Sequence, residues 1–350
     1  MKFIRLFFLT CIFPFSLSHG QSVKDTVTFR VMSYNVENLF DCQHDSLKND
    51  YEFMPDAIRH WTYSKYKKKL DNIARVITAV GRWSPPALVA LCEVENDSVM
   101  RDLTQRSILR EGGYQYVMTS SPDQRGIDVA LLYQRGVFKL LSTQSIRIMP
   151  GRHKEFHPTR DILHVCGLLP DKDSLDVFVC HLPSRSGGEK QSEPYRIIVA
   201  GVLKNIVDSI MQIRTTPRIL IMGDFNDYPN NKSIRQVLGA KAPPHNMNEI
   251  QSKQLYHLLA QRAAEEEFGS YKFQGEWGLL DHIIVSGSLL NKDSSFHTDP
   301  SKADVFHDSF ILTDDERNGG KQPFRTYQGM KYIGGYSDHL PVWADFTLIY

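Results

Sequence analysis

Apolar residues along this chain come in short runs, and the spacing within each run predicts an element. Thr26 to Tyr34 alternates as a strand with one covered face. Residues 41–63 are polar and aromatic, the composition of a long loop. From Ser64 to Val80 the residues Leu70, Ile73, Ala74, Ile77 and Val80 recur at helical spacing, and Gly81 follows as a stop. Pro85-Pro86 breaks the chain. Ala87 to Cys92 is then a continuous apolar run, which suits a strand covered on both faces. Asp97 to Leu109 predicts a helix.

The middle of the chain predicts strand after strand: Tyr114–Thr119, Ile127–Tyr133, Val137–Ile148, Ile162–Leu169 and Leu175–His181, with a turn at Asp171–Ser174. A long helix over Tyr195–Ile213 and a buried strand over Arg218–Met222 follow. Further helices are predicted at Ser233–Leu238 and Leu255–Glu267, and closing strands at Leu279–Val285 and Leu340–Ile349. Residues 286–336, rich in Asp, Gly and aromatics, read as an elaborated loop. A doubly wound sheet would alternate strand and helix throughout. Two mixed sheets packed face to face, with helices outside, fit this order better.

The N-terminus changes the picture of where the protein works. Lys2 and Arg5 precede an apolar run, Leu6–Leu17, too short to span a bilayer comfortably, and Ser18-His19-Gly20 follows. This layout predicts a signal peptide over residues 1–20, a single domain over 21–350, and export to a periplasm or beyond the cell. No other segment is long and apolar enough to cross a membrane. Without Lys2 and Arg5, 39 basic residues face 40 acidic ones. That balance lacks the basic footprint of a tight, non-specific DNA binder, though a local basic cleft is still compatible with it. Cys42, Cys92, Cys166 and Cys180 permit three disulfide connectivities. Cys92 and Cys180 sit inside apolar strand runs, so buried thiols are the favoured reading. No Cys-x-x-Cys supports a zinc ribbon.

Chemistry concentrates where apolar runs end. Ser33-Tyr34-Asn35, Leu91-Cys92-Glu93, Gly223-Asp224-Phe225-Asn226-Asp227 and Ser337-Asp338-His339 each adjoin a predicted strand. A carboxylate such as Glu93 at the end of a buried strand is expensive unless it is paired or binds a cation. A small set of oxygen ligands suits Mg²⁺, which leans on substrate phosphate. Asp224 and Asn226, two apart, can project to one side. Asp281, in Gly278-Leu-Leu-Asp281-His282, has the character of an acid that orients an imidazole. Cys180-His181-Leu-Pro-Ser184-Arg185-Ser-Gly187-Gly188 offers an imidazole, a phosphate fork and a glycine turn. Each motif alone has a plainer explanation: a helix N-terminus for Glu93, and turn chemistry for the Asn, Asp and Gly residues.

Together, the ordered set Asn35, Glu93, His181, Gly223-Asp224-Phe225-Asn226, Asp281 and Ser337-Asp338-His339 resembles the endonuclease/exonuclease/phosphatase superfamily, in a secreted, bacterial-type form. The resemblance spans about residues 27–349 and implies a DNase I-like four-layer α/β/β/α sandwich. It implies a metal site at Glu93 and Asp338 with Asn35 beside it, for Mg²⁺ or else Mn²⁺ or Ca²⁺. It also implies that Asp224 and Asn226 position water and phosphate, that His181 contacts phosphate, and that Asp281 orients His339. The expected activity is phosphodiester hydrolysis by in-line attack of water, with nucleic acid as the leading substrate and a monomer as the working unit. The alternatives are a phosphatase or phospholipase C-type enzyme on inositol phosphates or sphingolipids, and an inactive binding module on the same fold. Arg125, Asp128, Arg160, Arg185, Tyr271 and Phe273 are candidate substrate contacts, the aromatics by stacking. The loop carrying His307, Arg325 and Tyr327 is longer than in compact nucleases, and loops on such folds set specificity.

Overall fold

A computed structural model describes residues 25–149 and 157–350; the leader expected at 1–20 lies outside them. The strands run in chain order as β1 (Thr26–Leu39), β2 (Leu88–Val94), β3 (Gln115–Met118), β4 (Asp128–Tyr133), β5 (Lys139–Ile146), β6 (Ile162–Leu168) and β7 (Ser174–His181). They continue as β8 (Ile219–Asp224), β9 (Leu255–His257), β10 (Tyr271–Phe273), β11 (Glu276–Gly278), β12 (Asp281–Ser286) and β13 (Phe296–Val305). Four short pieces and the closing strand complete the set: β14 (Leu312–Asp314), β15 (Lys321–Pro323), β16 (Tyr327–Gln328), β17 (Lys331–Tyr332) and β18 (Val342–Ile349). The α-helices are α1 (Tyr63–Gly81), α2 (Asp97–Gln105) and α3 (Glu189–Ile213).

Two six-stranded mixed sheets, ordered β13-β18-β1-β2-β4-β3 and β5-β6-β7-β8-β12-β9, pack face to face. Side-chain alternation explains the layering. On β7, Val177 and Val179 point toward the first sheet, while Phe178 and Cys180 point toward α3, against Val199, Leu203 and Val207. On the other side α1 lays Leu70, Ile73 and Ile77 over the first sheet. The result is an α/β/β/α sandwich. No helix among the described residues is long and apolar enough to cross a membrane.

Several boundaries differ from the sequence reading, each for a physical reason. β1 continues past Tyr34 to Leu39, because Asn35 and Leu39 still pair with β2 across an irregularity in the register. α3 starts at Glu189 rather than Tyr195. Pro194 reads as a helix boundary in sequence, yet it lies inside the helix, which continues through it without that N–H. The helix expected at Asp97–Leu109 stops at Gln105, with a 3₁₀ turn over Ile108–Gly112. The helix expected at Leu255–Glu267 is absent. Leu255–His257 instead forms β9 along the edge of β12, and only Arg262–Ala264 makes a 3₁₀ turn. The stretch 286–336 is more than a loop, for β13 pairs with β18. Its register shifts between Thr298 and Ala303, where Pro300 interrupts the strand pattern.

Candidate active site

Gly223 sets the geometry of the site. Its φ is 141°, and a Cβ there would fall 1.8 Å from the Cys180 carbonyl oxygen, so only glycine fits. With that close approach β8 runs parallel to β7, with His181 opposite Asp224. β12 runs antiparallel on the other side and sets Asp281 opposite Asp224. Backbone register alone therefore lines up His181, Asp224 and Asp281.

The first sheet supplies the facing wall. Asn35 Nδ2 crosses between the sheets and donates to Asp224 Oδ2 at 3.0 Å, while Asn35 Oδ1 accepts from Glu37 N at 3.0 Å. Glu93 sits at an interruption in β2 with φ 67°, an uncommon backbone for a side-chain-bearing residue. Its Oε2 accepts from Asn38 N at 2.9 Å. The last segment is anchored three times: Ser337 Oγ donates to Asn35 O, His339 N to Ser337 Oγ, and Leu340 N to Ser270 O. Ser270 Oγ in turn accepts from Asp281 N at 3.1 Å. These anchors bring His339 Nδ1 to 2.7 Å from Asp281 Oδ2, with the ring against Tyr271.

The charges follow from this packing. Burial alone would lower the His339 pKa, but the Asp281 and Asp224 carboxylates outweigh it and hold the imidazole well above its ordinary range. Burial pushes the Asp224 carboxyl up to about 7, although the His339 charge pulls the other way. His181 is driven well below the usual range by burial and by the positive charges of Arg160, Arg125 and His339, so its ring is neutral. Its Nε2 lies 3.6 Å from Asp224 Oδ2 and 3.9 Å from Glu93 Oε1, and its buried Nδ1 has no hydrogen-bond partner among the described residues.

Asp224, Asp281 and His339 offer ligand atoms within 4.8 Å of one another, close enough to surround a cation. The Asp281–His339 hydrogen bond engages Nδ1 and leaves Nε2, 3.9 Å from Asp224 Oδ2, facing the cleft for proton transfer or for a ligand. Glu93 and Asp338 line the same cleft and offer hard oxygen donors, which fit a small divalent cation. Arg125 stands 3.5 Å from Glu93, and Arg325 2.9 Å from Asp338. Asn35 reaches across the seam with Nδ2, while its Oδ1 accepts from Glu37 N of its own strand and keeps a second lone pair.

The cleft holds about 680 Å³ and brings together Asn35, Glu93, His181, Asp224, Asn226, Asp338 and His339, with Arg185, Tyr271 and Phe273 along its wall. Arg185 Nε donates to Asn226 O at 2.8 Å, and its guanidinium covers the Tyr228 ring. Arg160 is buried, donating to Leu182 O and paired with Asp123, so it holds the strand end after His181. Asp128 does not reach the cleft. Its Oδ1 accepts from Thr119 Oγ1, Ser121 N and Ser121 Oγ, which makes it a buried brace between β4 and the preceding loop. Asp281 is fully buried behind His339.

One acid escaped the sequence reading. Glu37 is buried beside Asp338, accepts from Thr326 N at 2.7 Å, and lies 3.8 Å from the buried Lys69 Nζ. Burial and the Asp338 charge push its carboxyl up. The Asn35-x-Glu37 spacing was the available signal, hidden because the strand was ended too early. All four cysteines among the described residues are free thiols.

A family model described as Endonuclease/Exonuclease/phosphatase family matches residues 30–347. No curated protein matches the chain by sequence. A protein of that description from Bacteroides thetaiotaomicron superposes with a TM-score of 0.56 at 14% identity, over 93% of this chain and 96% of that one. A mannosyl-6-phosphatase from the same organism gives 0.56 at 15% identity, over 92% and 99%. D. rerio TDP2, complexed with a single-strand DNA product, gives 0.50 at 15% identity, over 91% and 98%. At these identities the likeness concerns the fold.

Proposed function

Because this chain belongs to the endonuclease/exonuclease/phosphatase family, we propose that it is a divalent-metal-dependent phosphoesterase that hydrolyses a phosphodiester. The observation that carries the reading is one cleft holding two separate functions. Glu93 and Asp338 present oxygen donors, while Asp224, His181 and the Asp281–His339 pair present proton-handling groups. A divalent cation held by Glu93 and Asp338 would polarise a phosphoryl oxygen and offset the charge that develops on it. Asp224, poised near neutrality, accepts a proton from the attacking water. His339, kept protonated by Asp281, donates toward a phosphoryl or leaving oxygen. Asn226 Nδ2 donates one hydrogen to Leu182 O at 3.0 Å and keeps its second for substrate. No serine or cysteine stands as a nucleophile in this scheme, so no phosphoryl-enzyme forms.

The diester reading draws on the shape of the groove. The cleft continues at Ser184 and Ser186 into a concavity lined by Arg125 and Arg160, and at Asp338 into another. A scissile phosphate between them has room for groups on both flanks, as in a nucleic acid. A second reading, a monoesterase on a small phosphorylated molecule, is favoured by the pairing of Arg125, Arg160 and Arg185. Each already has an acidic or carbonyl partner, which leaves few cations to follow a polyanion. Export rests on the composition of residues 1–20, and a monomer remains part of the proposal.

The test is hydrolysis of DNA, RNA, a simple phosphodiester, phosphomonoesters, inositol phosphates and sphingomyelin, with Mg²⁺ and with chelator. Asp224→Asn and His339→Ala are expected to lower kcat by roughly 10²–10⁴-fold while remaining folded, the usual contribution of a proton-transfer group. Turnover that survives chelation, or full activity in both variants, would overturn the reading. Cleavage of monoesters alone would favour the second substrate class.

A further inference from the structure

Beyond Asp338 lies a concavity of about 330 Å³ that the hydrolytic scheme does not use. Phe53, Trp61 and Tyr327 line it together with Arg59, Arg325, Thr326, Glu37 and Asn38. Its aromatic wall is rigid. Phe53 stacks on Phe40 with ring centroids 4.2 Å apart and meets Trp61 edge-on, and Trp61 Nε1 donates to Phe40 O at 2.9 Å. Against this wall the Arg59 guanidinium lies 5.5 Å from the centroid of Phe53 and 5.0 Å from that of Tyr327. Tyr327 Oη also donates to Arg59 O, which fixes the backbone. The Arg59 N–H edge donates to Glu52 from Nε and reaches Gly329 O from Nη1 at 3.5 Å, and a planar fork of this kind suits phosphate better than a lysine would.

The charges leave room for an anion. The acid paired with Arg59 is Glu52, whose side chain is 48% exposed, and such rim pairs are weak enough to exchange. Arg325 reaches Asp338 at 2.9 Å, while its buried Nε makes no hydrogen bond, the nearest acid being Glu37 at 3.6 Å. Glu37 turns Oε2 toward Thr326 N and Lys69, while its Oε1 is the oxygen near Arg325. Arg59 and Arg325 thus stand with Glu37 and Asp338 around one hollow that opens beside the reacting centre, and the buried Lys69 ammonium lies behind Glu37.

We propose that this hollow is a second anion subsite, taking a phosphate group that the substrate carries on the Asp338 side of the bond to be broken. The assignment rests on the phosphoesterase reading and narrows it to substrates bearing two anionic groups. The second phosphate belongs either to the next linkage of a polynucleotide or to a small bisphosphorylated molecule; the recognising chemistry is the same.

Two substrate pairs separate these sources: thymidine 5′-(4-nitrophenyl phosphate) with and without a 3′-phosphate, and fructose 1,6-bisphosphate against fructose 6-phosphate. The wild type is expected to favour the doubly phosphorylated member of one pair by roughly tenfold in kcat/KM, the scale of one charge-assisted contact. R59Q removes that preference and leaves kcat/KM on the singly phosphorylated member unchanged. R59K keeps the charge but loses the fork, and is expected to retain only part of the preference; it decides the matter if R59Q melts early. Calorimetry with inorganic pyrophosphate, in chelator, reads binding without turnover, and R59Q is expected to weaken it severalfold. No wild-type preference in either pair, equal losses on both members in R59Q, or an unchanged pyrophosphate isotherm would overturn the subsite. Failure to hydrolyse any substrate while R59Q still weakens pyrophosphate binding would sink the phosphoesterase reading and leave the subsite standing.

Discussion

Asp128 and Asp224 both end up buried at the margins of strands, and their surroundings separate their roles. Asp224 meets Asn35, His181 and His339, each from a different segment, inside the cleft. Asp128 accepts three hydrogen bonds from Thr119 and Ser121, close in sequence, and is not among the residues that line the cleft. In the sequence Asp128 is a candidate substrate contact, grouped with Arg125 and Arg160. The structure makes it a brace. Asp128→Ala is expected to destabilise the fold by about 1–3 kcal/mol, the usual effect of stranding buried donors. Once folded it should retain wild-type kcat/KM on whichever substrate the enzyme turns over. A large drop in kcat/KM with an unchanged melting temperature would return Asp128 to the cleft. Glu37 shows the opposite error, an acid beside Asp338 that a strand boundary set at Tyr34 kept out of the reading.

Between β9 and β12 two imidazoles occupy the core. His257 and His282 touch ring nitrogen to ring nitrogen, His257 Nδ1 accepts from Leu259 N, and His282 Nε2 donates to Asp227 O. This network needs one proton on each ring. Burial, and then the neighbouring His282, push the His257 pKa well below its ordinary value, and burial lowers His282 to about 4. The unfolded chain, with histidine near 6.5, therefore binds protons before the fold does. Stability is intact above about pH 6.5 and falls as the pH drops toward 4, by about 1.4 kcal/mol per unit for each imidazole. Melting temperatures near pH 7 and near pH 5 should diverge less in His257→Gln than in the wild type. An equal fall in both proteins would mean that other groups set the acid limit. The pair also explains the misread helix. Tyr256 and His257 carry no helical signature of their own, and their strand forms between the edge of β12 on one side and Lys241 on the other.

At the scale of the molecule, the site is a seam between two sheets. Glu93 and Asn35 come from one and Asp224, His181 and Asp281 from the other, while Asp338 and His339 close the gap. A cation held by Glu93 and Asp338, as proposed, would bind the folded chain in preference to the unfolded one, so it should raise the melting temperature by mass action. Millimolar Mg²⁺ is expected to shift the wild type by a few degrees and to leave a Glu93→Gln, Asp338→Asn double variant unmoved. An identical shift in both would place the cation elsewhere. Much of this was legible beforehand. Apolar periodicity marked both sheets and the helices α1 and α3, because burial acts locally through side-chain alternation. Gly223-Asp224-Phe225-Asn226 and Ser337-Asp338-His339 carried their chemistry in residue type, because a sharp strand end beside a carboxylate has few other uses. Edge strands such as β9 and β13 depend on a partner far along the chain, so no local pattern announced them. The same holds for Glu37 beside Asp338 and for Arg59 folded between Phe53 and Tyr327. The sequence by itself determined which groups could do the chemistry; pairing register and sheet packing decided which of them meet, since contact across hundreds of residues is a property of the packed chain alone.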